Sequence, residues 1–416
     1  MRARSWSLVT LLCATATASY LCRVNVSVTG ALLMGEFNLS QIEMGRVFSA
    51  FLLGYALFQV PAGMLADRWG ARRILALSAW WWVLATFLQA LVGWGPFQAS
   101  SAAALIAFLI LRFVLGVGEA PTFPGAAQGV SRWIPAENQG RANGIVIAAI
   151  GLGSALAPPL LSATMIRWGW RAALLLSTLP ALAVALAWIR VADPESTATF
   201  AQSRNKGPED TSNGRPLRSL SFILLTASYT LQGYVGYIFV FWFYLYLVQE
   251  RHFDLLRGAA LSSLPWILSI VSIPLGGFIS DRIAAGSAGL TWGRRIVPIV
   301  GLSLAGILLG FGAHTESPYT AAVCLALSTA FVLSVEGPFW AGMMEIAGRR
   351  SGTAGGIMNM GSNLGGLISP ALTPVVAARL GWENALLLAA GISFVGGALW
   401  FGIRLSPARP PYPHET

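Results

Sequence analysis

Two arginines, Arg23 and Arg112, lie inside long apolar stretches of this chain, and Glu119 follows the second by seven residues. On insertion scales a charge near the bilayer centre costs about 2.5–3.5 kcal/mol, so it is kept where it handles an ion, a substrate or a buried partner. Seven residues is about two helical turns, which puts Glu119 on the same helix face as Arg112 and about 10 Å deeper. Gly116 lies between them and is expected to leave that stripe open. Arginine's planar fork suits carboxylates, to which it donates paired hydrogen bonds. Two readings follow: an anion site with a proton-binding acid beside it, or a buried Arg–Glu pair that only holds helices together. Two arginines at depth against one carboxylate leave a positive excess, which favours the anion site.

The elements that carry these residues are membrane helices. Of 416 residues, 55% are hydrophobic and 11% charged, whereas a soluble domain carries about 25% charged residues. Apolar stretches of about 20 residues, enough to cross the hydrocarbon core as helix, recur along the whole length. Strand alternation is absent, which argues against a β-barrel. The pattern predicts an all-α polytopic membrane protein with twelve spans, near 6–29, 46–66, 74–94, 102–130, 142–165, 171–191, 219–248, 258–280, 296–313, 318–343, 353–378 and 383–404.

The net charge of +10 reflects the positive-inside rule and not nucleic-acid binding. With the N-terminus inside, 19 of the 27 Lys and Arg fall on the inner side and six on the outer, and the other two are Arg23 and Arg112. Both termini are therefore expected in the cytoplasm. The bias of 26 arginines to one lysine points to a GC-rich bacterial genome, and so to an inner (plasma) membrane. Cys13, Cys22 and Cys324 all lie in spans and give neither a disulfide framework nor paired metal spacing. No metal and no cofactor are expected. The bilayer is the surrounding partner, and a monomer is expected.

The chain repeats itself about a polar stretch at 192–218, read as a cytoplasmic linker. This divides it into a six-helix half at 1–191 and a second at 219–416 with a short cytoplasmic tail. Gly169-Trp170-Arg171-Ala172-Ala173-Leu174-Leu175-Leu176 matches Gly381-Trp382-Glu383-Asn384-Ala385-Leu386-Leu387-Leu388 at an offset of 212. Gly144, Gly153 and Pro158 match Gly356, Gly365 and Pro370 at the same offset. Glu119-Ala120-Pro121 in span 4 is echoed by Glu336-Gly337-Pro338 in span 10. Parallel repeats of this kind bind substrate near mid-membrane. The glycines of spans 5 and 11 are read as packing positions, where small residues let helices approach.

With these residues in view, the chain resembles a known family. The loop Gly63-Met64-Leu65-Ala66-Asp67-Arg68-Trp69-Gly70-Ala71-Arg72-Arg73 resembles the signature of the major facilitator superfamily. Within that superfamily, three segments resemble the anion:cation symporter family, which includes bacterial hexuronate and galactonate transporters, vesicular glutamate transporters and sialin. They are Arg112-Phe113-Val114-Leu115-Gly116-Val117-Gly118-Glu119-Ala120-Pro121, Tyr20-Leu21-Cys22-Arg23-Val24-Asn25-Val26-Ser27, and Gly54-Tyr55 with Gln59-Val60-Pro61. The resemblance implies the major facilitator fold, with twelve transmembrane helices in two six-helix halves. It implies that Arg23 and Arg112 hold the substrate carboxylate and that Glu119 couples protons. Tyr55, Asn25, Asn359 and the segment with Glu336, Phe339 and Trp340 are implied to line the site. Three positions depart from the family pattern. Cys22 stands where bacterial sugar-acid members often have Asp, Glu336 stands where some members have a small polar residue, and Gln139 replaces a usual arginine.

The expected function is symport of a small organic anion, a sugar acid or another carboxylate, with protons by alternating access. A bound anion neutralises the arginine field and eases protonation of Glu119, so the two ligands promote each other's binding, as linkage requires. Cys22 is a poor substitute for a titrating acid, because a thiol of ordinary pKa about 8.5 is mostly uncharged near neutrality. One proton per monoanion is therefore expected. Glu336 is either a second proton site or a helix-pairing acid. Tyr234 and Tyr237 of the aromatic-rich span 7 either line the cavity or pack. Asp67, Arg68, Arg72, Arg73, Asp281 and Arg282 are expected to form inner-side charge pairs that hold one conformational state. Proton-independent exchange of organic anions or phosphate is the alternative transport mode, and a transporter-like ligand sensor is the alternative from another class. No nucleophile, base and orienting group occur together, so an enzyme is not expected.

Overall fold

A computed structural model describes residues 2–95, 99–134, 136–191, 216–287, 289–347 and 351–405. The described residues form helices and connecting turns, with no strand among them. Most of the 192–218 linker, the 406–416 tail and the side chains of Gln139 and Asp67 lie outside the description.

Fourteen α-helices follow in order: α1 (Arg2–Phe37), α2 (Gln41–Trp69), α3 (Ala71–Leu91), α4 (Ser101–Glu119), α5 (Thr122–Trp133), α6 (Ala136–Arg190), α7 (Leu220–Phe241), α8 (Phe243–Gln249), α9 (Leu255–Ala284), α10 (Gly289–His314), α11 (Pro318–Ser334), α12 (Glu336–Ala347), α13 (Ser351–Leu380) and α14 (Trp382–Leu399). Among the described residues, ten stretches are long and apolar enough to cross a membrane. One of these, Gly144–Arg190, is long enough for two passages, and it is interrupted at Gly169, where φ is +79°. The expected span 11 falls on α13, outside those ten. Its Gly, Ser, Asn and Thr residues lower its hydropathy while leaving it a 30-residue helix.

Local chemistry sets the element ends. Ser40 caps α2 by accepting from the Glu43 amide, and Glu43 accepts from the Ser40 amide in return, which satisfies two orphan donors. The sequence repeat is also a repeat of backbone conformation. Gly381 stands before α14 with φ +88°, matching Gly169. A side chain at either glycine would be strained in the left-handed region.

Two compact units form, one from Met1–Glu209, Val240–Ile267 and Pro370–Val375, the other from Asp210–Phe239, Leu268–Ser369 and Val376–Thr416. In the first, Leu21, Val24 and Val28 of α1 pack on Ala157, Leu161, Met165 and Ala173 of α6, with Tyr244 and Ala259. Close approach matters here, because lipid tails remove the ordinary hydrophobic drive between helices. Gly153 of α6 abuts the Thr17 carbonyl of α1, so the packing role read from sequence applies there. The second unit is built on Phe222, Leu225, Tyr229, Leu302, Val335, Phe339, Met343, Met358 and Trp400.

Candidate functional site

Both repeat-related acids stand at helix breaks. Glu119 is the last residue of α4 and Glu336 the first of α12. A proline two residues after each acid cannot donate to the preceding turn, which frees carbonyls there. Side chains from other helices supply donors at both breaks. In the first unit the Trp82 indole of α3 donates to the Gly118 carbonyl at 2.9 Å. In the second, Gln232 of α7 donates to the Val332 carbonyl at 3.2 Å.

At the first break the chain assembles a buried charge cluster. Arg23, Arg112 and Glu119 have almost no exposed surface. Arg23 donates through Nε (3.0 Å) and Nη2 (2.9 Å), both to Glu119 Oε2. Its Nη1 donates to the Tyr20 hydroxyl at 3.2 Å. The guanidinium carbon lies 4.4 Å from the Tyr20 ring centre and 4.7 Å from that of Tyr55. The Phe51 ring stands 5.1 Å from Arg23 and 4.8 Å from Arg112. Arg112 donates to two main-chain carbonyls of α1, those of Cys22 (3.3 Å) and Arg23 (2.7 Å). Glu119 Oε1 and Arg112 Nε are buried without a hydrogen-bond partner among the described residues.

The structure thus joins Glu119 to Arg23 on a neighbouring helix, rather than to Arg112 along its own. Gly116 does not leave an open stripe. A Cβ there would strike the backbone of Phe51 and Tyr55 on α2, and one at Gly54 would strike that of Phe113 and Val117 on α4. These glycines let α2 and α4 cross in backbone contact, which brings Phe51 and Tyr55 up to the guanidinium groups.

Other expected residues fall around this cluster. Tyr55 is buried, with Gln59 donating to its hydroxyl at 3.4 Å. Asn25 faces α6 and donates to Ser177 Oγ at 3.0 Å. The Cys22 thiol donates to the Ser177 carbonyl at 3.5 Å.

In the second unit Glu336 accepts from the Tyr229 hydroxyl (2.9 Å) and from Gln232 (3.0 Å). Trp340, one turn after Glu336 on α12, is 38% exposed. Phe339 is completely buried against Tyr229 and Trp400, so it packs the core in this conformation and lines no open surface. Tyr237 donates to Asn363 at 3.2 Å, one turn beyond the half-buried Asn359, and Tyr234 is buried. Tyr20, Phe51, Tyr229, Gln232 and Asn363 were not assigned to the site from sequence. Tyr20 opens one of the segments that carry the family resemblance; for the others the signal was position alone, since each stands within a turn or two of an assigned residue or faces one from another helix.

Of the expected inner-side charges, Arg72 donates to the Trp188 (3.2 Å) and Ile189 (2.8 Å) carbonyls and so caps the end of α6. Arg68, Arg73 and Arg282 are exposed. Asp281 pairs with Arg294, which also donates to Glu345 at 2.9 Å. This ties α9, α10 and α12 together. The sequence offset gave no reason to select Glu345.

These features define a class: a polytopic helical membrane protein with repeat-related acids at broken helices and a buried guanidinium cluster. Comparison with known proteins gives the family. The model of the Major Facilitator Superfamily matches residues 11–370 and again 286–416, and the chain belongs to that superfamily. It is a membrane transporter and not an enzyme. A probable sulfoacetate transporter of Cupriavidus necator is 30% identical over 397 residues, covering 92% of this chain and 89% of that protein. The hexuronate transporter of Bacillus subtilis is 28% identical, covering 90% of this chain and 89% of its own. A bacterial homolog of the human lysosomal transporter Spinster, inward-facing and unoccupied, superposes with a TM-score of 0.79 at 18% identity, covering 97% of this chain and 99% of that one. This last likeness concerns the fold.

Proposed function

We propose that the chain is a secondary active transporter that carries a small organic anion, a sugar acid or another carboxylate, together with a proton by alternating access. It would sit in a bacterial plasma membrane with both termini cytoplasmic. The observation that carries this reading is the buried cluster: two guanidinium groups against one carboxylate, with that carboxylate held by Arg23. The sulfoacetate and hexuronate relatives carry organic anions by name, which agrees with a cationic site.

The pair gives a coupling mechanism. Both Arg23 bonds fall on one oxygen of a titratable acid. A substrate carboxylate can replace that acid as Arg23's partner, and Glu119 then takes a proton instead of remaining a buried, unpaired anion. Each event favours the other, by equal factors in the two directions. Tyr20 and Tyr55 flank the guanidinium and hold its plane. Within the second unit, Glu336 with Tyr229 and Gln232, and with them Trp340, Tyr234, Tyr237 and Asn359, would offer polar groups to substrate. The inner-side charges Asp67, Arg68, Arg72, Arg73, Asp281 and Arg282 would stabilise one conformational state.

Uptake into proteoliposomes tests this. Glu119→Gln should retain anion binding and exchange but lose uptake driven by an inward proton gradient. Undiminished uphill uptake by that variant would take Glu119 out of the mechanism and leave proton-independent exchange.

The stoichiometry carries its own expectation. A thiol that donates to the Ser177 carbonyl keeps its proton, so Cys22 adds no second titrating acid. One proton per monoanion moves no net charge, and the membrane potential, worth about 2.3 kcal/mol per charge per 100 mV, would not drive uptake. Solid-supported membrane recording with glucuronate should show no transport current. An inward current would make Glu336 the second proton site.

A further inference from the structure

We propose that Arg112 is a positioning residue that acts on the substrate only through Arg23, as a strut fixing the α1 backbone. The proposal rests on the anion-transport reading for the role of Arg23, and it gives Arg112 a task other than holding the carboxylate.

The argument starts from where the donors go. Arg112 has no exposed surface. Its two terminal nitrogens donate to the main-chain carbonyls of Cys22 and Arg23. Those carbonyls are also the helical acceptors for the amides four residues on, at 26 and 27. The arginine therefore grips α1 in mid-helix, directly behind the side chain that meets Glu119. The other grip of α4 on α1 is Glu119 itself, on the Arg23 side chain. The two grips differ in kind. A main-chain carbonyl changes neither charge nor identity when a proton or an anion arrives, so the Arg112 tie persists. The Glu119 tie is to a titratable group and can be exchanged for another carboxylate.

The exchange is asymmetric for the same reason. For Arg23 to take a substrate carboxylate, one carboxylate replaces another and the bond count is kept. Arg112 has both terminal nitrogens committed to buried carbonyls and only its Nε without a partner among the described residues. A two-pronged grip on substrate would therefore draw a charge-assisted donor away from a carbonyl in a water-poor site. Phe51 lies close to both guanidinium groups, and the Gly54 and Gly116 crossing holds α2, which carries Phe51, against α4. Arg112 is thus packed in place. When the exchangeable grip opens, α1 stays where it is and only the Arg23 side chain turns.

The test compares Arg112→Lys with Arg23→Lys in proteoliposomes, using labelled glucuronate, galacturonate and sulfoacetate. Lysine keeps the charge but loses the fork that spans two carbonyls. Arg112→Lys should keep KM within about threefold of wild type while the maximal rate falls about tenfold or more; Arg23→Lys should raise KM about tenfold or more. A KM for Arg112→Lys that rises as far as that of Arg23→Lys would make Arg112 a substrate ligand and overturn the proposal.

A second readout needs no substrate. Hydrogen–deuterium exchange of α1 peptides over 20–30 should be faster in Arg112→Lys and unchanged in Glu119→Gln. Equal exchange in Arg112→Lys and wild type would also overturn the strut. If Arg112→Lys is not recovered folded, Arg23→Lys decides alone, because carboxylate binding weakened about tenfold or more with Arg112 intact is the strut's expectation. Binding kept within about tenfold would contradict it. Should none of the three anions move in the wild type, the anion reading fails, and the exchange comparison still decides the strut.

Discussion

Replacing Arg23 by methionine is expected to destabilise the protein by about 3–5 kcal/mol, the usual cost of removing one partner of a buried ion pair. Methionine fills similar space, so the loss is electrostatic. Glu119 has no exposed surface, its Oε2 receives both Arg23 bonds, and its Oε1 has no hydrogen-bond partner among the described residues. Arg112 cannot take over. It stands seven residues away on the same helix, about 10 Å along the axis, and its terminal donors are held by α1 carbonyls. The double variant Arg23→Met with Glu119→Gln removes the orphaned charge and should recover most of the stability, since apolar or neutral replacements of buried pairs are often neutral or stabilising. Both variants should lose anion uptake. Thermal unfolding in detergent, followed by tryptophan emission, checks the stability terms. A single variant as stable as wild type would mean that another group compensates Glu119. An uncorrected double variant would mean that Arg23 stabilises by packing on Tyr20 and Tyr55, and not by charge.

That pair also shows what the sequence made legible. Composition and 20-residue apolar runs were enough for a polytopic helical protein, because lipid admits few alternatives for the backbone. The repeat was legible because Gly169 and Gly381 must take a backbone conformation that other residues avoid. Arg23, Arg112 and Glu119 were legible as a set, because charge inside an apolar span is rare. Their pairing was not. Spacing along one helix fixes which residues share a face, but the register between helices depends on where their backbones touch. Here that register follows from Gly54 and Gly116, and a sequence does not say whether a glycine opens a groove or closes a crossing. The same limit hid the Arg294–Glu345 pair and the Tyr229 and Gln232 bonds to Glu336. Each joins helices whose relative rotation is set by packing, and none stands at a spacing that a single helix would reveal.

Gly116→Ala should therefore damage both stability and transport, although alanine is the better helix former. The propensity term favours alanine by about 0.8–1 kcal/mol. Against it, the new Cβ would strike the Phe51 carbonyl and lie 2.8 Å from the Tyr55 amide nitrogen. These are backbone atoms, which cannot rotate aside, so α2 and α4 must separate. Overpacking of this kind costs about 1–3 kcal/mol and occasionally more, so the net sign is destabilising. Function should suffer more than stability, because α4 carries Arg112 and Glu119 while α2 carries Phe51 and Tyr55. A shift between these helices moves Arg112 away from the Phe51 ring and displaces Glu119 relative to Tyr55, which flanks its partner Arg23. Gly144→Ala is the control: a Cβ there meets nothing within 4 Å, so only the propensity term acts, and stability should hold or rise by up to about 1 kcal/mol. Paired unfolding and uptake measurements on the two variants separate the effects. If Gly116→Ala behaves like Gly144→Ala, the backbone crossing does not set the geometry of the charge cluster. If it unfolds earlier and transports less while Gly144→Ala does neither, the close approach of α2 and α4 holds Arg23, Arg112 and Glu119 in register.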